Sequence, residues 1–126
     1  MFVVDDSPLV RDRLIGMVSE LPNVTVIGQA EIAFEAISAI RKLRPDAVVL
    51  DISMPGGSGL QALEQIKREH AFCVVIMLTN FASEQYREKC LQLGADYFFD
   101  KSGEFEKVVE VLRNMASPDL HQAAST

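Results

Sequence analysis

Cysteine is scarce in this chain: only Cys73 and Cys90 occur in 126 residues, with neither metal-motif spacing nor a secreted disulfide framework around them. Both read as small buried apolar side chains. No apolar stretch approaches the length of a membrane span. The first residues lack the basic region and apolar core of a secretory signal, so a cytoplasmic location is the expectation. Cations are also too few for a nucleic-acid surface. Lys and Arg total 12 against 18 Asp and Glu, a net charge of −6, whereas binding to a phosphate backbone needs clustered basic residues. His70 and His121 read as surface and tail residues. Internal repeats and dividing linkers are missing too. With 48% hydrophobic and 24% charged residues, the composition is that of one globular domain, expected over 1–116 with a polar tail over 117–126.

What the chain does contain is a recurring pattern at the ends of its apolar runs. Phe2–Val4 leads into Asp5 and Asp6, Ala47–Leu50 into Asp51, Val74–Leu78 into Thr79, and Tyr97–Phe99 into Asp100 and Lys101. Short runs rich in Val, Ile and Phe, separated by amphipathic segments, are how parallel strands buried on both faces read. A further run, Val24–Ile27, is expected as the second strand, leading to Gly28-Gln29-Ala30 and offering no chemistry.

Helical patterns separate the runs. The first opens with Ser7 as N-cap and Pro8 at the first helical position, and places Val10, Leu14, Met17, Val18 and Leu21 on one face. The second carries Ala33, Ala36, Ile37 and Ile40 and is expected to stop near Arg44, because a residue preceding proline is biased away from helix. Met54-Pro55-Gly56-Gly57-Ser58-Gly59 predicts a turn, with Ser58 and Gln61 as a capping box for a third helix bearing Leu60, Leu63 and Ile66. The fourth helix is expected from about Ser83 to Leu93, closed by Gly94. The fifth is expected from near Ser102, with the stripe Phe105, Val108, Val109 and Leu112. Asp46, Asp96 and Asp100 read as turn and boundary residues.

Strict alternation of strand and helix implies a parallel sheet covered on both faces by right-handed crossovers. The expected fold is therefore α/β, a doubly wound (βα)5 unit with the flavodoxin-like strand order 2-1-3-4-5. In that order strands one and three flank the switch point, and ligands bind outside the carboxyl ends of the strands. Asp5, Asp6, Asp51, Thr79 and Lys101 then share one edge. Three carboxylates this close raise one another's pKa unless a cation intervenes. A hard divalent ion, Mg²⁺, suits the all-oxygen set. With that charge neutralised, one aspartate can act as a nucleophile toward phosphorus and form an acyl phosphate. A metaphosphate-like transition state carries charge on three oxygens, which Mg²⁺, Lys101 and Thr79 or a backbone N–H can share. Plainer readings stand beside these: Asp5 and Asp6 as helix caps, Lys101 as a solvated lysine, Tyr97 as a fixed core aromatic.

Val3-Val4-Asp5-Asp6-Ser7, Val49-Leu50-Asp51-Ile52-Ser53-Met54-Pro55-Gly56, Met77-Leu78-Thr79, Gly94-Ala95-Asp96-Tyr97 and Asp100-Lys101 together resemble the receiver domains of two-component response regulators, over about residues 2 to 115. The resemblance implies that Asp51 is the phosphoacceptor, Asp6 a direct Mg²⁺ ligand, Asp5 a ligand through water, and the Ser53 carbonyl a further ligand. It implies that Lys101 contacts the phosphoryl group and that Thr79 and Tyr97 form a switch pair. The phosphoryl donor would be a sensor histidine kinase or phosphotransfer protein. A downstream protein would read the face made by the fourth helix, fifth strand and fifth helix.

Three positions depart from that pattern. Ser102 stands where a proline is usual, so a trans bond or an altered loop is expected after Lys101. Asn80 is larger than the usual small residue and is expected to narrow access to Asp51. Phe81 lies where the path of hydrolytic water is set and is expected to slow dephosphorylation. Either a stand-alone receiver or a receiver cut from a longer regulator is expected, and Tyr97-Phe98-Phe99-Asp100-Lys101-Ser102 is more similar to stand-alone receivers than to DNA-binding ones. Enzyme activity beyond self-phosphorylation and autodephosphorylation is not expected. The rival reading is a receiver-fold binding module indifferent to phosphate.

Overall fold

Every residue of the strands at Phe2–Val4 (β1) and Ala47–Leu50 (β3) is buried, as strands covered on both faces must be. The structure, a computed structural model, describes residues 1–54 and 57–115. With Gly28–Ala30 (β2), Val74–Thr79 (β4) and Tyr97–Asp100 (β5), these strands form one parallel five-stranded sheet in the order 2-1-3-4-5. The helices are α1 (Pro8–Val18), α2 (Ala33–Leu43), α3 (Gly59–Glu69), α4 (Glu84–Gln92) and α5 (Phe105–Met115).

Strand side chains alternate between two cores. Phe2, Val4, Val48, Leu50, Val75, Met77 and Phe98 pack with Ala36 and Ile40 of α2, Leu63 and Ile66 of α3, and Cys90 of α4. Val3, Val49, Ile76 and Leu78 pack on the other side with Leu14 and Val18 of α1 and Phe105, Val108, Val109 and Leu112 of α5. Local chemistry sets the helix ends. The Ser7 hydroxyl accepts from Val10 N at 3.3 Å, and Ser83 does the same for Tyr86 N at 3.3 Å. Arg44, before Pro45, closes α2 in the left-handed region at φ 48°. Gly94, at φ 104°, turns the chain from α4 toward β5, a conformation glycine adopts without strain.

Several elements differ from their sequence expectation. The second strand is Gly28–Ala30 rather than Val24–Ile27: β1 pairs with it in the register Phe2 beside Gly28, Val3 beside Gln29 and Val4 beside Ala30. Just before β1, the Met1 amine donates to the Thr25 carbonyl at 2.7 Å and the Met1 carbonyl accepts from Ile27 N at 2.9 Å. The expected turn after Asp51 contains a short antiparallel hairpin, Ser53–Met54 against Gly57–Ser58; Pro55 and Gly56 lie outside the described residues. Ser58 caps α3 by accepting from Leu60 N at 3.0 Å rather than through a box with Gln61. Helix α5 begins at Phe105 instead of near Ser102. The Asp100 carboxylate takes the Ser102 N–H and hydroxyl, each at 2.8 Å, and Glu104 takes Asp100 N, so these residues close a turn first. Asp96 is more than a boundary residue: its carboxylate accepts from Val75 N and Lys67 Nζ, both at 2.9 Å, tying the start of β4 to α3. The expected tail over 117–126 lies outside the described residues.

Candidate functional site

Because β1 and β3 are adjacent and in register, Val4 beside Leu50, the residues that follow them emerge together at the carboxyl edge. Asp5, Asp6 and Asp51 offer carboxylate oxygens that all lie within 4.8 Å of one another. Asp5 and Asp51 are buried and Asp6 is exposed, so the cluster has a dry floor and a wet mouth. Lys101, one residue beyond β5, reaches back across the sheet edge to them. Its Nζ lies 2.7 Å from Asp5 Oδ2 and 2.8 Å from Asp51 Oδ2.

The other carboxylate oxygens are oriented by backbone. Asp5 Oδ1 accepts from Ser7 N at 2.9 Å and Asp51 Oδ1 from Ile52 N at 2.7 Å. Burial pushes the Asp5 carboxyl above its ordinary range, while the Lys101 and Ser7 hydrogen bonds restrain the rise. Burial works against the Lys101 ammonium too, yet its bonds to Asp5 and Asp51 outweigh it and hold the pKa above the usual lysine value. Each carboxylate oxygen keeps a lone pair beyond these contacts, and the donor set is oxygen throughout. That suits a hard divalent cation such as Mg²⁺ and not zinc.

Gly59, the first residue of α3, is a site residue that sequence reasoning passed over. A Cβ there would collide with the Asp51 carbonyl oxygen and stand 2.7 Å from Ile52 Cα. The helix can press against the Asp51 backbone only because the side chain is missing. Arg11 was passed over as well, although a charged residue on the stripe of Leu14 and Val18 is itself a signal. Its Nη1 donates to the Asp5 carbonyl at 2.6 Å and its Nε to Gln29 Oε1 at 2.8 Å. The edge strand therefore does bear on the site, contrary to expectation.

Thr79 is fully buried at the end of β4, and its hydroxyl accepts from Phe81 N at 3.0 Å. The expected pairing of Thr79 with Tyr97 is not what the sheet brings together. Residues in register on parallel strands face the same side, and side chains alternate along each strand. Met77 is opposite Phe98 and Ile76 opposite Tyr97. Thr79 shares the face of Met77, hence of buried Phe98. Tyr97 lies on the other face, 41% exposed and stacked on Phe99 at 6.0 Å. The fixed-core reading of Tyr97 fails on the same exposure. Asn80 and Phe81 are exposed just beyond Thr79, with Phe81 edge-on to Tyr86 at 6.0 Å. Ser53 is exposed in the hairpin following Asp51. All peptide bonds among the described residues are trans, including the one after Lys101. No helix among those residues is long and apolar enough to cross a membrane.

The profile of the response regulator receiver domain matches residues 1–113. Response regulator GacA of Pseudomonas viridiflava is 32% identical over 113 residues, which cover 90% of this chain and 53% of GacA. The chain thus spans about half the length of such curated relatives. Among solved structures, the response regulator domain of Thermotoga maritima CheB superposes with a TM-score of 0.79 at 30% identity, covering 99% of this chain and 95% of that one. A chain of the CheX–CheY–BeF3–Mg²⁺ complex from Borrelia burgdorferi gives 0.82 at 28% identity, covering 90% and 86%. Since the profile runs through all five strands and into α5, this chain belongs to the family of response regulator receiver domains.

Proposed function

We propose that Asp51 accepts a phosphoryl group from a phosphohistidine on a sensor histidine kinase or phosphotransfer protein. The observation that carries this reading is Asp51 itself, a buried carboxylate held between Ile52 N–H and the Lys101 ammonium beside two further acids. A carboxylate oxygen of Asp51 attacks phosphorus, the O–P bond forms, and the P–N bond breaks with its electron pair leaving on the histidine. Lys101 takes up charge on one phosphoryl oxygen. Asp5, Asp6, Asp51 and the Ser53 carbonyl are the proposed holders of Mg²⁺, which when bound neutralises charge on the phosphoryl oxygens.

The Thr79 hydroxyl accepts from Phe81 N, which leaves its own proton available to a phosphoryl oxygen. Movement of Thr79 toward Asp51 alters the space on its face of the sheet, where Phe98 rather than Tyr97 is the aromatic placed to respond. The readout is a change in the α4–β5–α5 face, sensed by a downstream protein. Asn80 restricts small phosphodonors, and Phe81 shields the acyl phosphate from water. Chemistry beyond self-phosphorylation and autodephosphorylation, direct nucleic-acid binding and membrane association are not part of this reading, and the proposed location is cytoplasmic.

Intact mass after incubation with Mg²⁺ and a small acyl-phosphate donor, or with a candidate kinase, tests the proposal. One phosphoryl increment that requires Mg²⁺ and disappears in Asp51→Asn is expected. No increment from either donor, with no Mg²⁺ binding, would favour the phosphate-independent binding module.

A further inference from the structure

A buried arginine must find acceptors for its donors or leave charge stranded in an apolar stripe. Arg11, on the inner face of α1, finds three. Its Nη1 donates to the Asp5 carbonyl at 2.6 Å, its Nε to Gln29 Oε1 at 2.8 Å, and its Nη2 lies 3.5 Å from Glu31 Oε1. The Asp5 amide continues the ladder to the Ala30 carbonyl at 3.1 Å, and β2 ends there. The Asp5 carbonyl, one step further on, receives Arg11 instead.

We propose that Arg11, anchored to the edge strand through Gln29, is a positioning residue that fixes the plane of the Asp5–Asp6 peptide and with it the two metal-binding carboxylates. The peptide is planar, so a bond to its carbonyl constrains the backbone torsions on either side and the directions in which both side chains leave. Sites of this kind need their groups held to about 0.5 Å. The proposal rests on the reading of this cluster as a Mg²⁺ site.

Charge and position act with opposite signs here, which makes the idea testable. As a cation, Arg11 repels Mg²⁺, so loss of its charge alone tightens binding. As a positioning group, its loss loosens binding. The experiment is calorimetric titration of MgCl2 into the unphosphorylated chain, for the parent, Arg11→Met and Gln29→Leu, with urea unfolding in the absence of Mg²⁺ as the stability control. Gln29→Leu keeps the arginine and its charge but removes the anchor, and it decides the matter if Arg11→Met does not fold.

The expected result is Mg²⁺ affinity weakened about 10-fold in each folded variant, the lower end of the roughly 10- to 100-fold that lost outer ligand supports cause. Unchanged affinity accompanied by lower stability would reduce Arg11 to a structural residue and overturn the proposal. Tighter binding in Arg11→Met would overturn it in favour of a simple charge effect. A parent chain that binds no Mg²⁺ would overturn the metal reading itself, and this inference with it.

Discussion

Lys101→Met should destabilise the Mg²⁺-free protein at neutral pH and do far less harm in acid or with Mg²⁺. The ammonium lies 2.7 Å from Asp5 Oδ2 and 2.8 Å from Asp51 Oδ2, and the three side chains are 8%, 4% and 6% exposed. Removing one partner of a buried ion pair costs about 3–5 kcal/mol, because the other charge is left without compensation. The exposed Asp6 marks a mouth open to water, which favours the lower end, about 3 kcal/mol. Two things relieve the cost. Burial already raises the Asp5 pKa, and losing Lys101, which lowers it, raises it further. With its folded pKa above its unfolded one, the folded chain binds more protons across that window, so stability falls as pH rises through it. The penalty is absent below the ordinary carboxylate pKa and complete above the raised one. Mg²⁺ acts by linkage, and it narrows the deficit because the variant, freed of the ammonium that competes for Asp5 and Asp51, binds the ion more tightly than the parent, each tenfold in Kd adding about 1.4 kcal/mol at saturating Mg²⁺. Urea unfolding followed by far-ultraviolet circular dichroism, at pH 4.5 and 7.5 with and without Mg²⁺, reads all of these terms. A deficit equal at both pH values and indifferent to Mg²⁺ would refute this electrostatic account.

Gly59→Ala must displace the backbone carrying Asp51. A loss of about 1–3 kcal/mol is expected in urea unfolding, together with loss of the phosphoryl increment in intact mass, and a variant normal in both would show that the loop yields freely. For the switch, Phe98→Leu should diminish the amide shift changes that phosphorylation causes in α4, whereas Tyr97→Phe leaves them intact; the reverse ranking would restore Tyr97 to that role. Burial pushes the Cys73 and Cys90 thiols up to about 11. Iodoacetamide at pH 8 should therefore leave the native chain unmodified and alkylate both cysteines in urea, as intact mass would register.

Much of the fold was legible because its signals are local. The runs at Phe2–Val4, Ala47–Leu50 and Val74–Thr79 are apolar on both faces, and only a doubly covered sheet accommodates that. Ser7, Ser83, Pro45 and Gly94 mark helix ends through their own chemistry. The turn that Ser102 and Glu104 close ahead of α5 escaped notice because their bonds to Asp100 compete with helix formation there, and propensity does not report such competition. Val24–Ile27 looked like a strand in composition, but the register of β1 beside Gly28–Ala30 places the strand just after it, and composition does not report register.

By itself the sequence determined the alternation of elements, the two-sided core and the supply of acids, hydroxyl and ammonium at the strand ends, since each follows from residue type and spacing along the chain. Only the tertiary structure decided that Lys101 bridges Asp5 and Asp51, that Gly59 is pressed against Asp51, that Arg11 reaches the Asp5 carbonyl, and that Phe98 rather than Tyr97 shares a face with Thr79. The first and the last depend on register between strands far apart in the chain, and the other two on how α3 and α1 pack back against the strand ends. A shift of one residue turns every side chain to the opposite face.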